Sequence, residues 1–79
     1  MNSLNKVENK MKQTVARNFK QKRKKAGLSI YRLADTTGIS SVTIQKLENE
    51  GHFSPKTLAG VCYMLDIEPA TLFLEEVDA

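Results

Sequence analysis

Residues that build covalent, metal or redox sites are scarce in this sequence. Its 79 residues include one cysteine, one histidine and no tryptophan. Cys62 has no second cysteine to pair with, which excludes a disulfide within the chain and suits a reducing compartment. A metal site needs several His, Cys or carboxylate ligands, and His52 is a single histidine. Since no set of nucleophile, acid and base is recognisable either, we expect no metal, no cofactor and no enzymatic activity.

Long apolar runs are also missing. No stretch approaches the roughly 20 consecutive apolar residues of a membrane-spanning helix. The N-terminal stretch MNSLNKVENKMK lacks the apolar segment of a secretory signal. We therefore expect a cytoplasmic protein that makes no membrane contact. The length fits one small domain, whose core would supply only about 3–5 kcal/mol of net stability.

Acidic residues are nearly absent from the first third of the chain. Residues 1–25 contain nine Lys or Arg and one Glu, whereas residues 26–79 contain three basic and eight acidic residues. The basic block could bind a polyanion such as nucleic acid, or it could be a solvated helix face. Charge alone favours nucleic acid only weakly, because it says nothing about how a sequence would be recognised.

What the chain does have is hydrophobic side chains at helical spacing, with no segment alternating long enough to form a strand. The pattern predicts an all-α domain of five helices. Serines act as N-caps of the second, third and fourth helices, and Gly27 ends the first. Residues 1–12 would form an N-terminal extension, frayed or helical, and residues 75–79 an acidic tail. The predicted helices are 13–26, 30–37, 41–49, 55–65 and a last one that Pro69 opens, with Leu72 and Phe73 facing inward.

The stretch LADTTGISSVTIQKLENEG, residues 33–51, points to a function. The corner Gly38-Ile39-Ser40 is so short that the second and third helices must cross steeply, with the small Ala34 at the crossing. This is the pattern of a helix-turn-helix, about residues 30–49, whose second helix lies in the major groove of DNA. The outward face of that helix has no acidic residue before Glu48.

Other motifs extend the pattern over most of the chain. They are Ala26-Gly27-Leu28-Ser29 at the end of the first helix, Leu33-Ala34 before the corner, Thr43-Ile44 and Leu47-Glu48-Asn49 in the third helix, and Pro55-Lys56-Thr57-Leu58 in the fourth. With them, residues 13–74 resemble the Xre/Cro/cI family of phage and bacterial repressors. The resemblance implies a compact five-helix, lambda-repressor-like domain that binds double-stranded DNA and regulates transcription, with repression as the preferred role.

The resemblance also implies roles for individual residues. Gln can pair with adenine, Lys can donate to guanine, and valine methyl groups can pack on the thymine methyl. Arg23 and Glu48 would form a partly buried ion pair, so that Glu48 presents no free charge to DNA. Tyr31, in the first turn of the second helix, could donate its hydroxyl to phosphate. The expected base contacts are Ser41, Val42, Gln45 and Lys46, and the other expected backbone contacts are Ser29, Ile30, Thr43, Asn49 and Lys56.

One recognition helix covers only a few base pairs, so we expect a two-fold dimer on a palindromic operator, with half-sites about 34 Å apart. The dimer would be weak in solution and strengthened on DNA by mass action. Because the basic first helix would repel its own copy, we expect the interface at the C-terminal end, formed by Ile67, Leu72 and Leu74. A competing interface would use Leu4, Val7 and Met11 in an N-terminal helix.

Two other roles stay open. The protein could bind DNA as an antitoxin, a restriction–modification controller or an excision accessory factor. It could instead be a protein-interaction module on a helix-turn-helix scaffold, although the acid-free face and the basic first helix argue against this. We expect no small-molecule ligand, since only a few acidic residues follow the last helix.

Overall fold

The computed structural model describes residues 3–75. Four α-helices follow one another along the chain: α1 (Leu4–Ala26), α2 (Ile30–Thr37), α3 (Ser41–Glu50) and α4 (Pro55–Leu65). A 3₁₀-helix, Pro69–Phe73, completes the described part, which contains no strand. The all-α class is therefore confirmed.

Serine side chains start all four α-helices. The hydroxyl oxygen of each cap accepts the N–H of the residue three positions on, at 3.0 to 3.2 Å. Each hydrogen bond satisfies one of the N–H groups that a helix start leaves without a partner. These bonds explain why α2, α3 and α4 begin where the sequence predicts. The caps are Ser3, Ser29, Ser40 and Ser54.

The first helix is longer than the sequence indicates. It begins at Leu4 rather than at residue 13, so the N-terminal extension is helical in its described part. Ser3 caps the start, and an ion pair between Lys12 Nζ and Glu8 Oε2 at 2.8 Å joins two successive turns. The sequence did not reveal this start because the apolar residues of the extension are exposed rather than buried.

The fifth helix is a 3₁₀-helix and not an α-helix. A residue of α1 holds it in place: the buried side-chain amide of Asn18 donates to the carbonyl oxygens of Leu72 at 3.0 Å and Leu74 at 2.6 Å. Three residues per turn place neighbours about 120° apart, so Leu72 can point into the core while Phe73 cannot. The expectation that both face inward is wrong for Phe73, which is exposed and touches Phe53 edge-on with ring centroids 5.5 Å apart.

A single hydrophobic core joins all five elements. Leu72 is fully buried in it, so it cannot belong to a dimer surface, and its assignment there is corrected. Ile67 packs partly against the core, whereas Leu74 is exposed. The core residues are Val15, Phe19, Leu33, Ile44, Leu47, Leu58, Val61, Cys62 and Leu72.

The predicted acidic tail lies mostly outside the described residues, which end at Glu75. Glu75 itself returns to α1, where its Oε1 lies 2.7 Å from Lys10 Nζ. Within residues 3–75, no helix has the length and apolar character that crossing a membrane requires.

Candidate DNA-binding interface

The corner between α2 and α3 is held by backbone conformation and by one threonine. Gly38 ends α2 in the left-handed conformation, with φ of 75°, which glycine adopts without steric cost. The hydroxyl of Thr37 donates to the carbonyl oxygen of Leu33 at 2.6 Å and accepts the N–H of Ile39 at 3.1 Å. The turn is thus fixed at both of its ends.

Close packing behind the corner holds α3 in place. Ile44 and Leu47, on the inner side of α3, are fully buried in the core. On α4, a Cβ at Gly60 would lie 2.7 Å from the Cδ1 atom of Ile39, so the side chain of Ile39 would have to shift to accommodate any other residue there. The sequence offers one signal for this role, because a mid-helix glycine is usually unfavourable and therefore needs a reason.

The four residues predicted to contact bases lie together on the outward side of α3. Val42 is 58% exposed and Lys46 is exposed, while Ser41 and Gln45 are half-buried at the edges of the face. Their spacing of one, four and five positions places them on adjacent turns of one helix side. This face is short, rigid and free of acidic residues over its whole length.

The residues predicted to contact the DNA backbone surround that face. Ile30 is half-buried against the core, so its backbone N–H is the group it can offer, and not its side chain. The remaining five are exposed at the starts of α2 and α4 and along α3: Ser29, Tyr31, Thr43, Asn49 and Lys56.

Several hydroxyl groups near this face are oriented by the helix caps. Ser29 Oγ accepts the N–H of Arg32 at 3.0 Å, which leaves its own proton available for an outside acceptor. The hydroxyls of Ser40 and Thr43 lie 2.8 Å apart, so one of the two protons is likewise available. Ser54 and Thr57 form a similar pair at 3.1 Å at the start of α4. The two pairs were not predicted, because only the folded caps bring their hydroxyl groups together.

The electrostatic field at the helix starts favours an anion. The first turns of α2, α3 and α4 contain no acidic residue, although acids are favoured at such positions. The partial positive charge of the free N–H groups is therefore uncompensated there. Between α3 and α4 lies an open cavity of about 180 Å³, lined by Thr43, Lys46, His52, Phe53, Ser54 and Thr57.

An ion pair fastens the end of α1 to α3. Arg23 Nε lies 2.7 Å from Glu48 Oε1, and Arg23 Nη2 lies 3.2 Å from Glu48 Oε2, a two-point contact. Arg23 Nη1 also donates to the carbonyl oxygen of Leu28 at 2.9 Å. The side chains are only 14% and 9% exposed. The carboxylate of Glu48 is thus paired within the domain and presents no free charge beside the outward face of α3.

Comparison with known proteins agrees with this geometry. Residues 18–74 match the model of the Cro/C1-type HTH DNA-binding domain, which covers all of the helix-turn-helix and most of the core. No curated protein and no solved structure matches the chain. Because the family model spans well over half of the sequence, the chain belongs to the Cro/C1-type helix-turn-helix DNA-binding domain family.

Proposed function

We propose that this protein is a transcriptional repressor that recognises a specific operator by placing α3 in the major groove. The observation that supports it best is the outward face of α3. Ser41, Val42, Gln45 and Lys46 share that face, and the fully buried Ile44 and Leu47 fix it from beneath. A rigid helix with short polar and apolar side chains at its N-terminal end is what direct contact with base edges requires.

Each side chain of this face has a chemical counterpart in the groove. The amide of Gln45 pairs with N6 and N7 of adenine, and the ammonium of Lys46 donates to the acceptors of guanine. The methyl groups of Val42 pack on a thymine methyl, and the hydroxyl of Ser41 bonds to either kind of base edge. Together these contacts discriminate between sequences.

Contacts to phosphate set the position of α3 in the groove. The start of α2 offers the hydroxyl proton of Ser29 and the N–H of Ile30, with Tyr31 beside them, and the start of α4 offers Lys56. Such contacts fix register and orientation without reading sequence. Asn49 and Thr43 extend the same clamp along α3 itself.

Occupation of the operator is sufficient for repression. A domain seated in the major groove excludes other proteins from the same base pairs, and this needs no second activity. Two copies on a palindromic operator provide the selectivity that one helix lacks.

Selection of bound duplexes from a random pool tests the proposal. We expect one enriched palindromic sequence, bound at least about a thousandfold more tightly than random duplex at physiological salt. Affinity for random duplex should fall steeply as salt rises, because phosphate contacts release counterions. A protein-interaction module would enrich no sequence and show no such salt dependence.

The repressor role is tested separately, with the selected operator placed over a promoter. We expect transcription to fall when the protein is present and to stay unchanged when the operator is scrambled. Activation of the same promoter would leave DNA binding intact and contradict the repressor role.

A further inference from the structure

The exposed hydrophobic side chains of this protein are unevenly distributed. Residues 3–75 contain eight large ones, of which Tyr31 and Val42 belong to the helix-turn-helix and Tyr63 stands alone on α4. Leu74 follows the 3₁₀-helix. The other four form one surface, here named the α1 patch: Leu4, Val7, Met11 and Phe73.

A ridge and a groove lie side by side in the α1 patch. Leu4, Val7 and Met11 stand three and four positions apart, so they form a single row along α1. Beside this row, a shallow open groove of about 350 Å³ is lined by Val7, Lys10, Met11, Thr14, Phe73 and Glu75. The patch therefore contains the N-terminal row that competes for the dimer contact, together with Phe73. None of the residues expected in the C-terminal interface, Ile67, Leu72 and Leu74, belongs to it.

Most of the charged residues at the margins of the α1 patch form ion pairs within the chain. Glu8 bonds to Lys12 at 2.8 Å on one side, and Glu75 bonds to Lys10 at 2.7 Å on the other. These lysines lower the pKa of each carboxyl group, so both acids are ionised at neutral pH. The expected repulsion between two copies of α1 is therefore reduced here, where Lys6 is exposed and forms no ion pair with any described residue. More unpaired positive charge lies further along the helix, where Lys20 and Lys24 are exposed.

The row on α1 lies outside the helix-turn-helix unit. The family match begins at residue 18, whereas α1 begins at Leu4. Leu4, Val7 and Met11 are exposed, so they add nothing to the core. The backbone of Lys12 touches Gly51, the residue that ends α3, so the α1 patch lies beyond the C-terminal end of the recognition helix. A partner bound there leaves the base-contacting face uncovered.

We propose that the α1 patch is the surface through which two copies of this chain pair about a two-fold axis, with α1 against α1 of the partner. A ridge beside a groove is self-complementary, since each ridge can enter the other copy's groove, as a two-fold interface requires. Because two of the three lysines beside the patch are already paired within the chain, this surface suits a second copy better than DNA or an acidic protein, which would bind unpaired cations. The inference rests on the proposed function, because a dimer is needed to bind an operator with two half-sites.

The interface is small, so the dimer is weak until DNA holds both copies together. Sedimentation without DNA tests the surface with two variants of nearly equal exposure. Leu4 is 82% exposed and Tyr63 is 84% exposed, so Leu4→Glu and Tyr63→Glu both leave the core intact. We expect Leu4→Glu to weaken dimerisation at least roughly tenfold and Tyr63→Glu to leave it unchanged. The assignment of the α1 patch as dimer surface is overturned if Leu4→Glu dimerises as tightly as the unchanged protein. It is also overturned if Tyr63→Glu loses the dimer.

Cysteine cross-linking locates the axis. Val7 is the middle residue of the row, so in an antiparallel pair it meets its own copy, and a disulfide needs Cα atoms within about 7 Å. The native Cys62 does not interfere, because it is buried and burial raises the pKa of its thiol. Under mild oxidation on the operator, we expect Val7→Cys to form a covalent dimer and Tyr63→Cys to stay monomeric. No cross-link in Val7→Cys, or monomers at every concentration with and without DNA, overturns the assignment of the α1 patch to a second copy.

A duplex carrying one half-site separates this inference from the proposed function. We expect Leu4→Glu to bind a half-site as the unchanged protein does and to lose affinity only on the full palindrome. A chain that dimerises through the α1 patch but binds no duplex contradicts the proposed function and not the interface. Equal binding of Leu4→Glu and the unchanged protein to the full palindrome overturns the interface.

Discussion

The backbone of Gly51, where the recognition helix ends, lies directly against the backbone of Lys12 in α1. A Cβ at Gly51 would overlap the carbonyl oxygen of Lys12 and would lie 2.6 Å from its Cα. Gly51 also has φ of 69°, in the left-handed region, and is buried. This contact sets where α3 ends relative to α1, so the position of the recognition helix depends on the absence of one side chain.

We predict that Gly51→Ala destabilises the fold by about 2–4 kcal/mol, from left-handed strain together with steric overlap. Gly27→Ala is the matched control, because Gly27 has nearly the same φ, 72°, but a Cβ there would meet nothing within 4 Å. It should cost only the strain, about 1–2 kcal/mol. Chemical denaturation of both variants measures the difference, and equal losses would mean that α1 can move away from Gly51 freely.

The ion pair between α1 and α3 gives a second prediction. Glu48→Ala leaves Arg23 largely buried without its carboxylate, so it should destabilise the domain by about 3 kcal/mol. Glu8→Ala, which breaks the exposed pair with Lys12, serves as control and should change stability little. If thermal melting shifts equally little for both, Arg23 and Glu48 behave as surface charges.

Lys56 tests the contact with the DNA backbone. As an exposed residue in the first turn of α4, it should bind one phosphate. Lys56→Ala should weaken binding to all sequences alike and reduce the slope of log affinity against log salt by roughly one. Lys20→Ala removes the same charge from an exposed position on α1 and should leave the slope nearly unchanged. A slope unaffected by Lys56→Ala would place Lys56 away from DNA.

The sequence predicts the middle of this domain well because its signals are local. In α2, α3 and α4, a serine cap and apolar residues at helical spacing coincide within a few positions. The outward face of α3 follows from the same periodicity, as does the burial of Ile44 and Leu47.

The two ends of the chain are predicted poorly because their structure depends on distant contacts. The 3₁₀-helix is held by Asn18, a residue far away in sequence that no local pattern marks for this role. At the other end, the apolar residues of α1 point outward, so periodicity could not distinguish a helix there from a frayed segment. The sequence alone does not identify the close contacts of Gly51 and Gly60. Their neighbours, Lys12 for Gly51 and Ile39 for Gly60, come close only in the folded chain.

The central claim is that the outward face of α3 reads base sequence, and Gln45 tests it most directly. The affinity of Gln45→Ala should be measured on the selected operator and on random duplex at the same salt concentration, with Gln13→Ala, at an exposed position of α1, as the matched control. We predict a loss of about 1–3 kcal/mol on the operator, little change on random duplex, and no loss for the control. Equal losses on operator and random duplex would contradict the claim, because Gln45 would then hold DNA without reading it.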